Sequence, residues 1–399
     1  MSAATPPVAA PASAPAAGST VPTDAIVTAM VNHHKGISDL IFSPGRPPQV
    51  EVSGHLEGVE IPGVGTLSAA DTERVANDLI GQNNIARQQL REEGSCDISY
   101  SVTGVARFRV NIFRQRTSHA IVMRVIPNKI PTFEELRLPP VLAEIAELKN
   151  GVVLVTGPTG SGKSSTLAAI IDLINQNKAE HIITIEDPIE FLHRHKKATI
   201  HQRELHNDTP NFALALRAAL RQAPKVILVG EMRDRETIEI ALTAAETGHL
   251  VFSTLHTIDA SKTVERIIGA FPMSDQHVIR RRLAAAMRFF VSQRLLPKIG
   301  GGRIAAVEIL KGTMRTKDYV EKGESEGKTL LDAMRDGGLD GMQDFDTVIE
   351  HFIREGLVEM ETGLLYSTNA GNLRLALADY AEERRQSQPE KNGEFEIER

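Results

Sequence analysis

Cysteine and tryptophan are nearly absent from this chain of 399 residues, which has one cysteine and no tryptophan. The single cysteine, Cys96, cannot form a disulfide within the chain and cannot supply a cysteine-rich zinc site. Long apolar runs are missing as well, because no stretch approaches the roughly 20 apolar residues of a membrane-spanning helix. The cysteine usage fits a reducing compartment, so we expect a cytoplasmic protein without structural disulfides.

A strong excess of charge of one sign is also lacking. The chain has 45 basic and 51 acidic residues, a formal net charge of −6, and 41% hydrophobic residues. This balance offers no overall attraction for nucleic acid, and we expect no nucleic-acid partner. The apolar content is sufficient for real cores and indicates a globular enzyme. At this length, two folded units with tails are expected.

Composition divides the chain into five segments. Residues 1–23 are rich in Ala, Pro, Ser and Thr and lack the features of a signal peptide, so we predict a disordered tail. Residues 24–125 are predicted to form a small α+β domain, and the Pro-punctuated residues 126–137 a linker. Residues 138–381 are predicted to form a second, larger domain whose last part is helical. Residues 382–399 are predicted to be a charged, disordered tail.

The first domain mixes helical and strand patterns. Apolar residues at helical spacing predict a short amphipathic helix over 24–35, and a Ser cap opens one longer helix over 68–90. Apolar or alternating runs between turn residues predict strands at 40–42, 49–52, 98–102 and 106–113.

From residue 151 the pattern alternates between apolar strands and helices. Strands are predicted at 152–155, 181–185 and 226–229, with helices between them, and helices dominate beyond 262. Continuous apolar strands between helices are typical of a parallel sheet that is buried on both faces. The predicted fold class is therefore α/β.

A phosphate-binding motif follows the first of these strands. Residues 157–164 read GPTGSGKS, a full Walker A match between a Val-rich strand and an Ala/Leu/Ile helix. Lys163 is expected to reach the β- and γ-phosphates of ATP, and the Ser164 hydroxyl to bind Mg²⁺. A glycine-rich turn without a ligand is the alternative, which the strand and helix on either side disfavour. The predicted ATP-binding residues are Thr159, Gly160, Ser161, Gly162, Lys163, Ser164 and Ser165.

Carboxylates follow two of the other strands. Glu186, Asp187 and Glu190 end the 181–185 strand, and the carboxyl ends of parallel strands are where α/β sheets bind ligands. After the 226–229 strand, Gly230 stands where a Walker B motif usually has Asp, and Glu231 follows. We expect Glu231 to help hold the metal with Ser164, through water.

A third strand, predicted at 253–257, has a polar end that includes His256. A lone histidine is more often structural than catalytic, so the residues alone leave both readings of His256 open.

Three sequence blocks accompany the Walker A motif: ITIEDPIEF at 183–191, LVGEMRD at 228–234 and STLHT at 253–257. They resemble the Asp box, the atypical Walker B motif and the His box of the type II/type IV secretion ATPase family, and the similarity extends over most of 36–310. The resemblance implies a RecA-like P-loop NTPase domain preceded by a small PAS-like domain. It also implies a homohexamer with the nucleotide at subunit boundaries.

The same resemblance implies roles for individual residues. Glu190 is the expected water-activating base, and Glu231 and His256 are expected to support the metal and phosphate chemistry. Arg109 and Arg124, in the first domain, match the family's nucleotide-facing arginines and are expected to contact the phosphates as arginine fingers. A solvated basic strand face is the alternative for these two arginines.

Within this family the chain is most similar to the ATPases that retract type IV pili and so drive twitching motility. That resemblance implies force delivered to an inner-membrane pilus platform protein, at the cytoplasmic face of the membrane, with membrane association only through the partner. A pilus-assembly or secretion ATPase on the same scaffold is the first alternative. A nucleic-acid translocase, or a regulatory paralogue that hydrolyses ATP poorly, is less favoured.

Overall fold

The computed structural model describes residues 20–380 other than Ser53 and Asn128, together with Glu382. The two predicted tails therefore lie almost wholly outside the described residues. The chain divides into two compact units, residues 1–128 and 129–399.

The described part of the first unit is an antiparallel six-stranded sheet with three helices. The strand order is β3-β2-β1-β6-β5-β4. Along β5, the fully buried Phe108 and Val110 alternate with Arg107 and Arg109, so one face of the sheet packs on the helices. The elements are α1 (Thr23–His33), β1 (Ile37–Phe42), β2 (Gln49–Val52), β3 (His55–Gly58), α2 (Ala69–Ile80), α3 (Asn84–Glu92), β4 (Ser95–Val102), β5 (Ala106–Gln115) and β6 (Ser118–Ile126).

Some details of this unit differ from the prediction. The single helix predicted over 68–90 is two helices, because Gly81 adopts a positive φ of 53° and Asn83 caps α3 by accepting the Ala86 N–H. Strand β3 escaped prediction because all four of its residues are exposed and no apolar alternation marks it. Helix α1 begins at Thr23, one residue inside the predicted tail. The PAS-like assignment stays a prediction.

The second unit contains a seven-stranded sheet and most of the helices. Its elements are α4 (Phe133–Leu136), a 3₁₀ helix (Pro140–Glu147), β7 (Gly151–Thr156), α5 (Lys163–Asn177), β8 (His181–Glu186), β9 (Thr199–Glu204), α6 (Phe212–Ala219), β10 (Val226–Val229), α7 (Arg235–Glu246), β11 (Leu250–Leu255), α8 (Ala260–Gly269), α9 (Met273–Ala286), β12 (Met287–Pro297), β13 (Arg303–Lys311), α10 (Met314–Lys322), α11 (Leu330–Asp336), a second 3₁₀ helix (Gly338–Asp340), α12 (Phe345–Arg354), α13 (Met360–Tyr366) and α14 (Ala370–Ala376).

This sheet has the order β13-β12-β7-β11-β10-β8-β9, and its neighbours are parallel except for the β12/β13 pair. Alternate residues of β7 enter two different cores, Val152 and Leu154 on one face and Val153 and Val155 on the other. The structure thus confirms the predicted α/β class with a parallel sheet buried on both faces. Within the described residues, no helix combines the length and apolar character that crossing a membrane requires.

Two features of this unit were not predicted. The linker predicted over 126–137 includes α4, which Thr132 and Glu135 open with a reciprocal capping box. Helices dominate beyond residue 262, but β12 and β13 also form a long antiparallel hairpin there. Three successive glycines with positive φ, at 300–302, lie between its strands. The hairpin was not predicted from the sequence because β12 is buried on both faces yet carries arginines. Its apolar and polar residues therefore do not alternate as they do in a half-buried strand.

Candidate functional site

The glycine-rich loop joins β7 to α5, as the motif predicts. Gly157, Gly160 and Gly162 all have positive φ values, of 139°, 78° and 94°. A Cβ on Gly157 would lie 2.4 Å from the carbonyl oxygen of Gln293 on β12, so the chain passes too close for any side chain. Helix α5 begins at Lys163, with its N-terminus at the loop. This arrangement is typical of a phosphate-binding loop.

Lys163 lies inside the loop. Its side chain is buried, and Nζ donates to the carbonyl oxygens of Gly157, at 2.9 Å, and Pro158, at 3.1 Å. Burial lowers the pKa of Lys163 below its ordinary value, and the nearby carboxylates of Glu231 and Glu190 oppose that shift. The cation is therefore fixed at the loop and faces acidic groups from two other strand ends.

A cavity of about 460 Å³ opens beside the loop, within the usual size range of ligand pockets. It brings together residues that the sequence places far apart. Those predicted for the site that line it are Thr159, Gly160, Gly162, Lys163, Ser164, Ser165, Glu186, Asp187, Glu190, Glu231 and His256. Ser161 lines a neighbouring cavity of about 560 Å³.

The carboxylates after β8 differ in their surroundings. Glu186 is half-buried and accepts hydrogen bonds from Thr184 Oγ1, at 2.6 Å, and Gln202 Nε2, at 3.0 Å. Burial raises the pKa of Glu186 to about 7, although these hydrogen bonds work against the shift. Asp187 and Glu190 are exposed. Glu186 is thus held by its neighbours, while Glu190 is open to a ligand and to water.

The end of β10 explains the unusual glycine of the Walker B motif. Gly230 N donates to the carbonyl oxygen of Ile185 at 2.7 Å, which ties the ends of β10 and β8 together. A Cβ at this position would lie 3.2 Å from that oxygen and 3.4 Å from the ring of Phe212. Glycine lets the two strands end close together, and the carboxylate is supplied one residue later by Glu231.

Glu231 lies between two basic side chains. Its Oε2 is 3.4 Å from His256 Nε2 and 2.7 Å from Arg233 Nη2. Strand β11 ends at Leu255, so the strand predicted over 253–257 is too long, and His256 follows its last residue. The structure therefore places His256 against a predicted metal-site carboxylate. Arg233 also lines the cavity and was missed, although its spacing of two from Glu231 was visible in the sequence.

Arg109 and Arg124 belong to the first unit, whereas the residues that line the cavity all belong to the second. They are exposed and stand directly opposite each other on β5 and β6. Arg124 Nε lies 3.0 Å from Asp39 Oδ1 on β1. Arg107 and Arg109 share the face of β5 opposite Phe108. The two candidate arginine fingers form one basic site, and their contact with a phosphate stays a prediction.

The second unit fits a phosphate ligand and a magnesium ion by its chemistry. Ser161 Oγ is buried and has no hydrogen-bond partner among the described residues, so it remains available to a phosphate oxygen. Ser164 and Glu231, which are the predicted metal residues, line the same cavity as Lys163. A hydroxyl and a carboxylate are oxygen ligands of the kind that Mg²⁺ prefers.

Comparison with known proteins identifies a family and close relatives. The family model for type II/IV secretion system proteins matches residues 67–332. The type IV pilus retraction ATPase PilT of Pseudomonas aeruginosa is 45% identical over 327 residues, which cover 82% of this chain and 93% of the relative. A twitching motility protein of Neisseria gonorrhoeae is 42% identical over 327 residues, 82% of this chain and 86% of the relative.

A solved structure of the pilus retraction motor PilT with bound ADP has the same fold. It is 42% identical to this chain, with a TM-score of 0.78, and the match covers 87% of this chain and 97% of that one.

Proposed function

The chain belongs to the type II/IV secretion system protein family, and on this premise we propose that it is an ATPase motor that powers the retraction of type IV pili. The observation that carries the proposal is the meeting of Lys163, Glu190 and Glu231 around one cavity at the edge of the parallel sheet. The similarity to a retraction ATPase over most of both chains supports the direction of the force.

The arrangement suits ATP hydrolysis. The loop N–H groups and the N-terminus of α5 bind the phosphates, and Lys163 faces the β- and γ-phosphates. Ser164 would hold Mg²⁺ directly and Glu231 would hold it through water, and the ion would neutralise charge on the phosphate oxygens. Glu190, which is exposed at the cavity, orients the attacking water and takes its proton. His256 and Arg233 hold the Glu231 carboxylate in place.

The proposal extends to the assembly. The motor works as a homohexamer, and Arg109 and Arg124 stabilise the charge that develops on the transferred phosphoryl group. A pair of exposed guanidinium groups on one sheet face supports this role. The motor acts at the cytoplasmic face of the inner membrane, where it binds a pilus platform protein and reaches the membrane only through that partner. No nucleic acid takes part.

Deletion of the gene tests the function directly. Surface pili in excess, together with loss of twitching, support retraction, whereas loss of pili identifies an assembly motor instead. Complementation with the wild type and with Lys163→Ala is the matched pair, because only the wild type should restore twitching. Restoration by Lys163→Ala would contradict an ATP-driven role.

A further inference from the structure

Strand β9 carries two polar residues that the mechanism has not used, Gln202 and Glu204. They are two positions apart and so share one face of the strand. Their register partners on β8 are Thr184 and Glu186. Neither Gln202 nor Glu204 is among the residues that line the cavity by the glycine-rich loop. They contact instead the segment that follows β8 and carries Glu190.

Gln202 makes three hydrogen bonds here, two to this segment and one to Glu186 at the end of β8. Its Nε2 donates to Glu186 Oε1 at 3.0 Å and to the carbonyl oxygen of Phe191 at 2.8 Å. Its Oε1 accepts the His193 N–H at 2.8 Å. Both N–H groups and the carbonyl of one amide are therefore engaged, which fixes its orientation as well as the position of the loop.

Glu204 holds the other side of the same segment. It is 3% exposed, and its Oε2 accepts the Ile189 N–H at 3.1 Å. Asn207 Nδ2 donates to Oε1 at 2.5 Å and thereby orients the carboxylate. Glu190 thus lies between two residues whose backbone groups are anchored, Ile189 by Glu204 and Phe191 by Gln202.

We propose that Gln202 and Glu204 are positioning residues that hold Glu190 in its reactive place. The segment 187–198 forms no helix or strand, so its backbone groups need partners outside regular structure. A general base must be held to within about 0.5 Å, and a displacement of about 1 Å can cost roughly 100-fold in rate. The inference rests on the proposed ATPase function, and within that function two residues of β9 align the base, Glu190.

Amide hydrogen exchange on the full chain tests the anchoring without any turnover. Gln202→Leu should speed exchange at the His193 amide by roughly 10-fold or more and leave Ile189 protected, while Glu204→Ala should do the reverse. Thr199→Ala, an exposed change on the same strand, is the matched control and should alter neither amide. Unchanged exchange in both anchoring variants would overturn the proposal.

Kinetics test whether the anchoring acts through Glu190. Gln202→Leu and Glu204→Ala should lower kcat roughly 10- to 100-fold, with KM for ATP within about threefold, because the phosphate loop is untouched. Glu204→Gln keeps an oxygen that can accept the Ile189 N–H and should restore most of the rate. In a Glu190→Gln background, Gln202→Leu should add little further loss. Full additivity there, or a wild-type kcat in both single variants, would overturn the positioning role.

Two controls separate the possible failures. If the wild-type protein hydrolyses ATP and the β9 variants match it, this inference alone is rejected; if the wild type does not hydrolyse ATP, the proposed function is rejected and the inference with it. Should Gln202→Leu fail to fold by circular dichroism, Gln202→Glu replaces it, since it keeps an acceptor for His193 and loses both donors. The same loss of kcat is expected, and its absence counts against the proposal.

Discussion

The two sheets of this chain present their polar residues in different ways. In the antiparallel sheet, Arg109 and Arg124 lie within strands, on the face opposite the core. In the parallel sheet, Glu186, Glu231 and His256 lie at or just beyond strand ends. Parallel strands all end at one edge and gather such residues there, whereas antiparallel strands present them by alternation along an exposed face.

The second difference between the sheets is in the surroundings of their buried or partly buried carboxylates. In the parallel sheet, burial raises the pKa of Glu186 to about 7 and that of Glu308, on β13, to about 8. In the antiparallel sheet the buried carboxylate, Asp39, is paired with Arg124. From this comparison we predict that the chemistry of the second sheet depends on fixed, partly desolvated groups and that of the first on exposed charge. The following variants test that division, from the largest expected effect to the smallest.

Lys163→Ala should lower ATP turnover by roughly 10³-fold or more, because it removes the fixed cation at the phosphate loop. The fold should persist, since the Lys163 side chain contacts only loop carbonyls by hydrogen bonds within the described residues. Steady-state ATPase activity and the circular dichroism spectrum check both points. Near-normal turnover in a folded variant would show that the loop takes no part in ATP hydrolysis.

Glu190→Gln and Glu231→Gln should each lower turnover about 10²-fold while ATP binding is retained, because the base or the metal support is lost. Glu239→Gln, an exposed change on α7, is the control and should turn over normally. Turnover and nucleotide affinity are the measurements. A loss only in the Glu231 variant would assign the base to a residue other than Glu190.

Glu186 should make the free energy of unfolding depend on pH. Its pKa is about 7 in the folded protein against an ordinary 4.5, so the folded state binds more protons between these values. The stabilisation by the protonated carboxyl is therefore present below about pH 4.5 and is lost as pH rises through about 7.

Relative to Glu186→Gln, the wild type should lose roughly 2 kcal/mol between pH 5 and pH 8, less than the full shift implies because water reaches part of the side chain. Urea unfolding of both proteins at the two pH values measures the difference. If the free energies of unfolding of both proteins change equally with pH, folding does not raise the pKa of Glu186. The contrast drawn between the two sheets would then be wrong.

Arg109→Ala and Arg124→Ala should each lower ATPase turnover by about 10-fold or more, by analogy with other arginine fingers. Hexamers should still form, as light-scattering mass would report. Arg114→Ala, an exposed change on the same strand as Arg109, is the control. Wild-type turnover in both Arg109→Ala and Arg124→Ala would show that these arginines belong to an ordinary solvated sheet face.

Asp39→Asn should have the smallest effect, a loss of about two- to threefold in turnover. Arg124 is 69% exposed, and an ion pair this open to water orients a side chain only weakly. The measurement is ATPase activity beside that of Arg124→Ala. A loss as large as that of Arg124→Ala would show that the antiparallel sheet also relies on a fixed, buried charge.

Contiguous patterns allowed much of the fold and part of the site to be predicted. Residues 157–165 form the loop and the start of α5 as expected, because the glycines, the lysine and the hydroxyls are contiguous in the sequence. Strands β2 and β10 match their predicted bounds, because alternation or an unbroken apolar run marks each of them. These features depend on local conformational preference and on burial period, which neighbouring residues determine.

The tertiary structure alone decided the groups that meet across strands. Gln202 and Glu204 carry no motif of their own, and only the parallel register of β8 and β9 brings them to the loop around Glu190. The contact of His256 with Glu231 depends in the same way on the order of β11 and β10 in the sheet. The sequence by itself determined the phosphate loop and the carboxylates available to it. Their partners depended on strand order and register, because hydrogen bonds form between groups that are near in space, whatever their separation along the chain.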